Sequence, residues 1–290
     1  MKVVGVTFIR NAICYDYPVV ESLRALLPLC DEVIVAVGAS DDETRALIAG
    51  IDPSKIRILD TVWDDSLREG GQVLAIETDK ALAAVPADAD WVFYLQGDEV
   101  LHEADYPAIR AALHRWLPDG RVDGLLFDYR HFYGSYDYLG AARRWYRHEI
   151  RVVRAGCGIY SYRDAQGFRK PGNQKLTVRA VDAHIYHYGW VKDPSAMQGK
   201  QETFNRYWHD DAWTAANVAK AVEFDYSGID ALTRFPGTHP AVMAERIRRR
   251  NWSFDHDLTH NRIPVKDRLK ALAERWFGLR LGYKNYRLLR

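Results

Sequence analysis

The stretch DWVFYLQGDE, residues 90–99, decides the predicted fold. Residues 90–95 predict a strand whose apolar run, from Trp91 to Leu95, stops abruptly at Gln96-Gly97-Asp98-Glu99. In α/β proteins, ligands bind beyond the carboxyl ends of buried strands. Carboxylates at such an edge suit Mg²⁺ or Mn²⁺, which take one or two acids plus phosphate oxygens from a substrate. The stretch therefore predicts a site for a metal ion and phosphates at Asp98 and Glu99.

Strand and helix signals alternate in the residues that precede this stretch. Short apolar runs predict strands at 3–9, 32–37 and 55–59, and apolar residues at helical spacing predict helices at 18–29, 44–49 and 71–85. Strands separated by helices require a parallel sheet with right-handed crossovers. We therefore predict an α/β fold, with a mostly parallel, Rossmann-like sheet flanked by helices.

The pattern changes after residue 100. A helical period at 106–116 is followed by strand-like runs at 123–129, 148–153 and 178–188, which favour a mixed sheet. From residue 197 onward the chain looks helical and is rich in aromatic residues and arginine. No internal repeat or low-complexity linker divides it. We predict a catalytic domain at 1–210, with halves at 1–100 and 101–210, and a helical C-terminal extension at 211–290.

Composition excludes several classes of protein. The 290 residues are 48% hydrophobic, which is enough for a large core, and the net charge of +1 disfavours a nucleic-acid binder. No Gly-x-Gly-x-x-Gly follows a strand, which disfavours a dinucleotide-dependent dehydrogenase. The three cysteines form no metal-spaced pair and suit a reducing compartment. Neither a signal peptide nor a long apolar span is visible, so we predict a cytoplasmic protein.

The first hundred residues resemble the nucleotide-binding half of family 2 glycosyltransferases, which have the GT-A fold. Phe8-Ile9-Arg10-Asn11 matches the strand and asparagine turn that open this family. Ser40, Asp42 and Thr44 match the later half of its Asp-Asp-Gly-Ser-x-Asp-x-Thr pattern, whereas residues 37–39 replace the leading acids. Gly71 aligns with the start of a sequence element that this family carries in the helix before its metal motif.

The metal motif and the second half are similar to one subgroup, the sugar transferases of the lipopolysaccharide core and other surface polysaccharides. Gly97-Asp98-Glu99 corresponds to the Ala-Asp-Glu form of the family's Asp-x-Asp motif. Tyr162-Arg163-Asp164 takes the place of a His-Glu element, and Ile185-Tyr186-His187-Tyr188 matches an Ile-x-His-Tyr element. Lys200 follows, ahead of Tyr207, in the order of that subgroup.

This resemblance implies a role for each of these residues. The nucleotide-sugar site would comprise Arg10, Asn11, Ser40, Asp42, Gly71, Gly97, Asp98 and Lys200. Asp98, Glu99 and His187 would hold Mn²⁺ or Mg²⁺. Asp164 would deprotonate the acceptor, with Glu149 in reserve. The implied function is metal-dependent, inverting transfer of a hexose-type sugar from a nucleoside diphosphate to a glycan or lipid-linked acceptor in bacterial surface polysaccharide assembly.

Two other functions compete with this one. A sugar nucleotidylyltransferase would have the same fold, but the sequence after the first strand lacks a glycine-rich loop with basic residues. A non-catalytic protein that binds carbohydrate or nucleotide would have lost the metal site. Turnover of a sugar nucleotide separates the three.

The C-terminal tail carries an excess of positive charge, with 13 Lys and Arg against four Asp and Glu from Arg246 to Arg290. Aromatic and aliphatic residues recur among these charges at helical spacing: Trp252, Phe254, Leu269, Leu272, Trp276 and Phe277. Such a segment suits peripheral contact with an anionic membrane face. The alternative is a brace whose apolar side packs on the catalytic domain while its arginines are solvated.

Overall fold

The structure is a computed structural model that describes residues 1–218, 220–263, 267–268, 270, 272, 276 and 284–289. Its helices are α1 Val19–Leu26, α2 Thr44–Ala49, α3 Gln72–Ala83, α4 Tyr106–Trp116, α5 Pro194–Asn205, α6 Asp211–Asn217 and α7 Ala244–Arg248. Its strands are β1 Val3–Ile9, β2 Glu32–Gly38, β3 Ile56–Thr61, β4 Trp91–Tyr94, β5 Glu99–Leu101, β6 Gly124–Tyr133, β7 Ser135–Gly140, β8 His148–Arg154, β9 Tyr160–Tyr162, β10 Gly167–Lys170, β11 Gln174–Lys175, β12 Thr177–Trp190, β13 Leu232–Arg234 and β14 Arg287–Leu288. Every helix and strand predicted before residue 190 is present.

The N-terminal half is a parallel sheet in the order β3-β2-β1-β4. Alternate side chains of β1 enter two separate cores: Val3 joins Leu23 of α1 on one face, and Val4 joins Leu74 of α3 on the other. Burial on both faces explains why these strands read as continuous apolar runs. The predicted α/β fold, a Rossmann-like sheet flanked by helices, is confirmed.

The second half extends this sheet with strands of both directions. β8 lies antiparallel between β4 and β6, and β12 is parallel to β6 and antiparallel to β5. β5 starts at Glu99, so its pairing with β12 places His187 opposite Glu99. On its other side, β12 places His187 opposite His131 of β6. The register of β12 therefore brings His187 to the edge where β4 ends.

A small antiparallel sheet, β9-β10-β11, stands beside the large one. Its turn at 163–166 contains two non-glycine residues with left-handed backbones, Arg163 with φ 60° and Ala165 with φ 62°. The Ala165 carbonyl accepts hydrogen bonds from Tyr94 Oη and Gln96 Nε2, each at 3.3 Å. These bonds hold the turn at the end of β4.

The described residues of 211–290 include strands as well as the predicted helices. They contain two short α-helices, α6 and α7, and two strands that join the large sheet: β13 pairs with β7, and β14 pairs with β12. The ring of Phe254 packs on Tyr133, Tyr138 and Tyr226. Phe254 and Tyr226 thus complete a core of the main body.

The start of the basic tail is paired within the protein. Arg246 forms ion pairs with Asp16 at 2.6 Å and with Glu21 at 3.3 Å, and Arg250 pairs with Asp137 at 3.2 Å. These contacts agree with the brace interpretation for this part of the tail. Further on, the described residues Leu272 and Trp276 are 51% and 77% exposed. Leu269, Arg275, Phe277 and Arg280 lie outside the described residues.

Candidate active site

A cavity of about 410 Å³ opens at the carboxyl edge of the parallel strands, beside α5 and the 163–166 turn. We call it the inner cavity. Six of the predicted site residues line it: Arg10, Gly97, Asp98, Asp164, His187 and Lys200. The other six do not belong to its lining: Asn11, Ser40, Asp42, Gly71, Glu99 and Glu149. The structure thus brings half of the predicted residues together and gives the others different positions.

Asp98 is the charged centre of the inner cavity. It is 8% exposed, and its Oδ2 lies 3.3 Å from Lys200 Nζ and 3.8 Å from His187 Nε2. Burial alone would raise its pKa, but nearby positive charge, above all that of Lys200, lowers the pKa to about 2. The carboxylate is therefore ionised at neutral pH.

A chain of two imidazole rings fixes the proton on His187. His131 Nε2 lies 2.8 Å from the carbonyl oxygen of Tyr146, which can only accept, so this nitrogen carries hydrogen. His131 is 4% exposed, and burial lowers its pKa to about 3, so the ring is neutral and its Nδ1 accepts. His187 Nδ1, 3.2 Å away, must then be the donor. His187 Nε2 is left with a free lone pair that faces the Asp98 carboxylate.

This donor set fits a divalent cation. Two acceptors that face each other, an ionised carboxylate and an imidazole nitrogen, attract a metal ion, and Mn²⁺ accepts nitrogen as well as oxygen. A metal-binding histidine is usually oriented by a hydrogen bond from its second ring nitrogen. Here that bond runs from His187 Nδ1 to His131. Within the described part of the chain, no group of three or more Asp, Glu, His or Cys side chains is placed to hold a metal. An ion at Asp98 and His187 would need further ligands from a substrate such as a diphosphate.

The structure argues against Glu99 as a metal ligand. The side chain is fully buried, and its two oxygens accept from Arg151 Nε and Nη2, each at 2.8 Å. The Tyr129 hydroxyl, at 2.7 Å, and the Gln96 backbone amide, at 3.1 Å, also donate hydrogen bonds to this carboxylate. Asp98 belongs to the turn at 97–98 and faces the cavity, whereas Glu99 begins β5 and faces the core.

Two lysines lie near Asp98, and only one of them was predicted. Lys200 Nζ donates to Asp98 and, at 3.1 Å, to the carbonyl oxygen of Gly189. Lys192 is fully buried, and its Nζ donates to the carbonyl oxygen of Tyr15 at 2.6 Å. Burial, and after it the charge of Lys200, lowers the pKa of Lys192 well below its ordinary value. No motif indicated Lys192, since its position depends on where β12 ends.

Asn11, Ser40 and Asp42 shape a loop instead of lining the cavity. The Asn11 backbone is left-handed, with φ 53°, and its amide donates to Ser40 Oγ at 3.0 Å. Asp42 Oδ2 accepts from the amides of Ile13 and Cys14 at 3.1 and 2.8 Å. Short polar side chains satisfy tight turns in this way. Their contacts hold the loop at 10–17, which supplies Arg10, Tyr15 and Tyr17 to the cavity wall.

Aromatic side chains form the wall that faces Arg10. Trp63 lies 5.8 Å from Phe8 and 5.6 Å from Tyr207, measured between ring centroids, and the Arg10 guanidinium lies 5.8 Å from the Trp63 ring. Core packing and contact with a ligand are both open to Trp63. The side chain is 8% exposed, and it also lines the inner cavity. Flat rings beside a cation can stack on a nucleotide base.

The two candidate bases differ in position. Asp164 lines the inner cavity at the 163–166 turn, and burial raises its pKa. Left-handed residues on both sides of it mark a strained turn, a feature that clusters at functional sites. Glu149 is 3% exposed and lies behind Gln166, whose Nε2 donates to it at 3.0 Å. Burial raises its pKa to about 7, but Glu149 is not part of the cavity lining.

Gly71 supports the cavity from behind. It precedes α3 with φ 68°, and its amide donates to the Tyr207 carbonyl at 3.0 Å. A Cβ at this position would lie 2.7 Å from Asp164 Cβ and 2.7 Å from the Trp208 ring. Glycine is needed here both for the backbone conformation and for the close packing of these two side chains.

Comparison with known proteins finds structural likeness only. No protein-family model and no curated protein sequence matches the chain. Among solved structures, TarS of S. aureus gives a TM-score of 0.40 at 15% identity, covering 70% of this chain and 38% of TarS. The 4-diphosphocytidyl-2C-methyl-D-erythritol synthase of Anaerococcus prevotii gives 0.39 at 12% identity, covering 66% of this chain and 91% of that one.

Glucosyl-3-phosphoglycerate synthase of Mycobacterium tuberculosis, in complex with Mn²⁺, UDP and phosphoglyceric acid, is also similar. Its TM-score is 0.29 at 19% identity, over 46% of this chain and 43% of that one. The chain thus spans less than half the length of TarS and of this synthase. At these TM-scores the likeness does not indicate the activity of this chain.

Proposed function

We propose that the protein is an inverting glycosyltransferase that uses a nucleoside diphosphate sugar. One observation carries the proposal: an ionised Asp98, a lone pair on His187 and the ammonium of Lys200 converge in one cavity that also contains Asp164. A cation site of this kind suits a diphosphate, and a carboxylate with a raised pKa suits a general base. The sequence resemblance to family 2 glycosyltransferases supports the same function.

The donor would lie between the aromatic wall and Asp98. Trp63 and Tyr207 would hold the base, with Arg10 beside it. Lys200 would contact the diphosphate, and Asp98 and His187 would hold Mn²⁺ or Mg²⁺ against the same phosphates. The bound ion would act as a Lewis acid and neutralise charge on the leaving diphosphate.

Asp164 would drive the transfer step. Its carboxylate takes the proton of an acceptor hydroxyl, and the hydroxyl oxygen forms a bond to the anomeric carbon of the donor sugar. The bond from that carbon to the diphosphate oxygen breaks, and the nucleoside diphosphate leaves with the electron pair. Lys200 lies close enough to Asp98 to stabilise the charge that develops on those phosphates. Attack opposite the leaving group inverts the anomeric centre.

A binding and turnover experiment tests this function. We expect UDP or GDP to raise the melting temperature of the protein, and Mn²⁺ to increase that shift, because a ligand of the folded state stabilises it by mass action. The matching sugar nucleotide should also be hydrolysed slowly in the presence of Mn²⁺. A shift without turnover of any sugar nucleotide would indicate a binding protein. Release of pyrophosphate from a nucleoside triphosphate and a sugar phosphate would indicate a nucleotidylyltransferase.

We also propose that the enzyme acts in the cytoplasm on a surface-polysaccharide intermediate, with the tail near the membrane. The resemblance to polysaccharide transferases supports the setting. No helix among the described residues is long and apolar enough to cross a membrane. Arg246 and Arg250 are paired within the protein. The membrane contact would therefore be made by Leu272 and Trp276, which are exposed, together with Arg268 and Lys270.

Vesicle binding tests the tail. We expect the protein to co-sediment with vesicles that contain anionic lipid and to be released by salt, since each Lys or Arg near such a surface contributes about 1 kcal/mol. Trp276→Ala should weaken the binding. Equal recovery with neutral and anionic vesicles would leave this segment without a membrane role.

A further inference from the structure

A second cavity, of about 520 Å³, adjoins the inner cavity. We call it the outer cleft. It lies between the start of α3, where Glu69 precedes the helix and Gln72 begins it, and the start of α6, where His209 precedes the helix and Trp213 belongs to it. Trp208 lines both cavities. A molecule in the outer cleft would therefore share a wall with whatever occupies the inner cavity.

The junction between the two cavities lies at Asp164. The Asp164 Cβ and the Trp208 ring each lie 2.7 Å from the point that a Cβ on Gly71 would occupy, so they are at most 5.4 Å apart. Asp164 faces the inner cavity, while Trp208 continues into the outer cleft. The Trp208 ring is thus the wall that the outer cleft shares with the part of the inner cavity beside Asp164.

The outer cleft has the chemistry of a neutral, hydroxyl-rich ligand site. Trp213 is 39% exposed, and its ring is stacked on His209 with 3.4 Å between centroids, which fixes the indole as a flat platform. Glu69 and Gln72 are exposed and offer carboxylate and amide groups on the opposite side. The positive charge of Arg68 is taken by Asp211 at 2.7 Å. Aromatic faces combined with a few polar groups suit a sugar ring, which has apolar C–H faces and hydroxyl edges.

We propose that the outer cleft binds the acceptor of the transfer reaction and that this acceptor is a saccharide. This inference rests on the proposed glycosyltransferase function and adds the place and class of the second substrate. One sugar ring stacks on Trp213, the next lies over Trp208, and its hydroxyl reaches Asp164. The oxygen of that hydroxyl bonds to the donor's anomeric carbon, its proton passes to Asp164, and the nucleoside diphosphate leaves.

Saturation-transfer NMR with a panel of neutral di- and trisaccharides tests the proposal on the full chain. We expect at least one saccharide to receive saturation in the presence of UDP and Mn²⁺. Trp213→Ala should reduce that signal at least tenfold, and Gln72→Ala should reduce it by a smaller factor. The melting-temperature shift caused by UDP and Mn²⁺ should be unchanged in both variants. Trp276→Ala is the matched control, because Trp276 is an exposed tryptophan outside the lining of both cavities.

The outcomes distinguish a failure of the acceptor site from a failure of the proposed glycosyltransferase function. Saccharide binding that is equal in the wild type, Trp213→Ala and Gln72→Ala would overturn the outer cleft as its site. UDP binding without saturation of any saccharide, or saturation of a polyprenyl phosphate alone, would overturn the saccharide acceptor and leave the donor site standing. Absence of nucleotide binding in the wild-type protein would overturn both. Because Gln72 is exposed, its variant keeps the test valid if Trp213→Ala does not fold.

Discussion

Two neighbouring regions of the molecule use carboxylates in opposite ways. The inner cavity contains Asp98, Lys200 and His187. The charge of Asp98 faces the cavity and these two side chains. The core beneath it contains Glu99, whose charge is fully taken up by Arg151. The two acids are adjacent in sequence and both are buried. What separates them is direction: Asp98 belongs to the turn at 97–98 and its side chain enters the cavity, whereas Glu99 begins β5 and its side chain enters the core.

The same contrast recurs at the second pair of candidate acids. Asp164 belongs to a strained turn and lines the cavity, whereas Glu149 belongs to β8 and is covered by Gln166. In both pairs the acid on irregular backbone faces the cavity, and the acid in a strand serves the core. Substrate can reach only the first kind. Substitutions at these acids and at His131 test this division.

Asp98→Asn should lower turnover by roughly 10³, because it removes the charge that would hold the metal and diphosphate while keeping the shape of the side chain. Mn²⁺-dependent UDP binding, measured by calorimetry, should disappear. With a pKa lowered from 3.8 to about 2, ionised Asp98 stabilises the fold above about pH 4 and loses that contribution as the pH falls toward 2. The variant should lack this part of the acid-unfolding curve. Undiminished UDP binding would contradict the assigned site.

Glu99→Gln should act on stability instead of catalysis. It leaves the Arg151 guanidinium buried without an anion, and breaking one side of a buried pair costs about 3 kcal/mol. Urea unfolding measures this loss, with the exposed Glu43→Gln as the control. Below its melting temperature the Glu99 variant should bind UDP and Mn²⁺ like the wild type. A stable variant that no longer binds Mn²⁺ would restore Glu99 as a ligand.

Asp164→Asn should lower turnover by about 10², with donor affinity almost unchanged. Burial raises the pKa of Asp164, and a base works only when it is ionised. In the wild type, kcat/KM should therefore fall as the pH drops through this raised pKa, at a higher pH than for an ordinary aspartate. The Asn variant should lose this limb of the profile. Glu149→Gln should retain it; a profile that follows Glu149 instead would reverse the assignment.

The sequence predicts the parallel half of the fold well because its signals are local. Apolar runs and helical spacing located every strand from β1 to β4, and the position of Asp98 followed from the abrupt end of β4. What could not be read from the sequence is direction and register. Two adjacent acids give no sign of which one will face a cavity, and the partner of Glu99, Arg151, lies 52 residues away.

Register also explains the residues that sequence reasoning missed. His131 and Lys192 belong to no motif, and their positions depend on the pairing of β6 with β12 and on the end of β12. Asn11, Ser40 and Asp42 fit a family pattern in sequence, but hydrogen bonds to backbone amides account for Ser40 and Asp42 in the structure. A matching motif identifies the loop and does not tell which of its side chains a ligand touches.

His131→Phe tests the link between the two regions and should have the smallest effect. His131 Nδ1 accepts a hydrogen bond from His187 Nδ1, and His131 Nε2 donates one to the Tyr146 carbonyl oxygen. Phenylalanine keeps a planar ring but removes the acceptor, so His187 can move its hydrogen to Nε2, where a metal would bind. Loss of such an orienting partner typically weakens metal affinity 10- to 100-fold, and we expect about tenfold because Asp98 remains.

Two measurements separate this role from simple packing. Electron paramagnetic resonance titration gives the Mn²⁺ dissociation constant in the presence of UDP, and ¹⁵N chemical shifts of His187 report which ring nitrogen carries hydrogen. His131→Gln should recover part of the affinity, because its amide oxygen can accept from His187 Nδ1. If His187 keeps its hydrogen on Nδ1 and Mn²⁺ binds equally well in the Phe variant, His131 belongs to the core alone. His187 would then belong to the cavity and His131 to the core, just as Asp98 belongs to the cavity and Glu99 to the core.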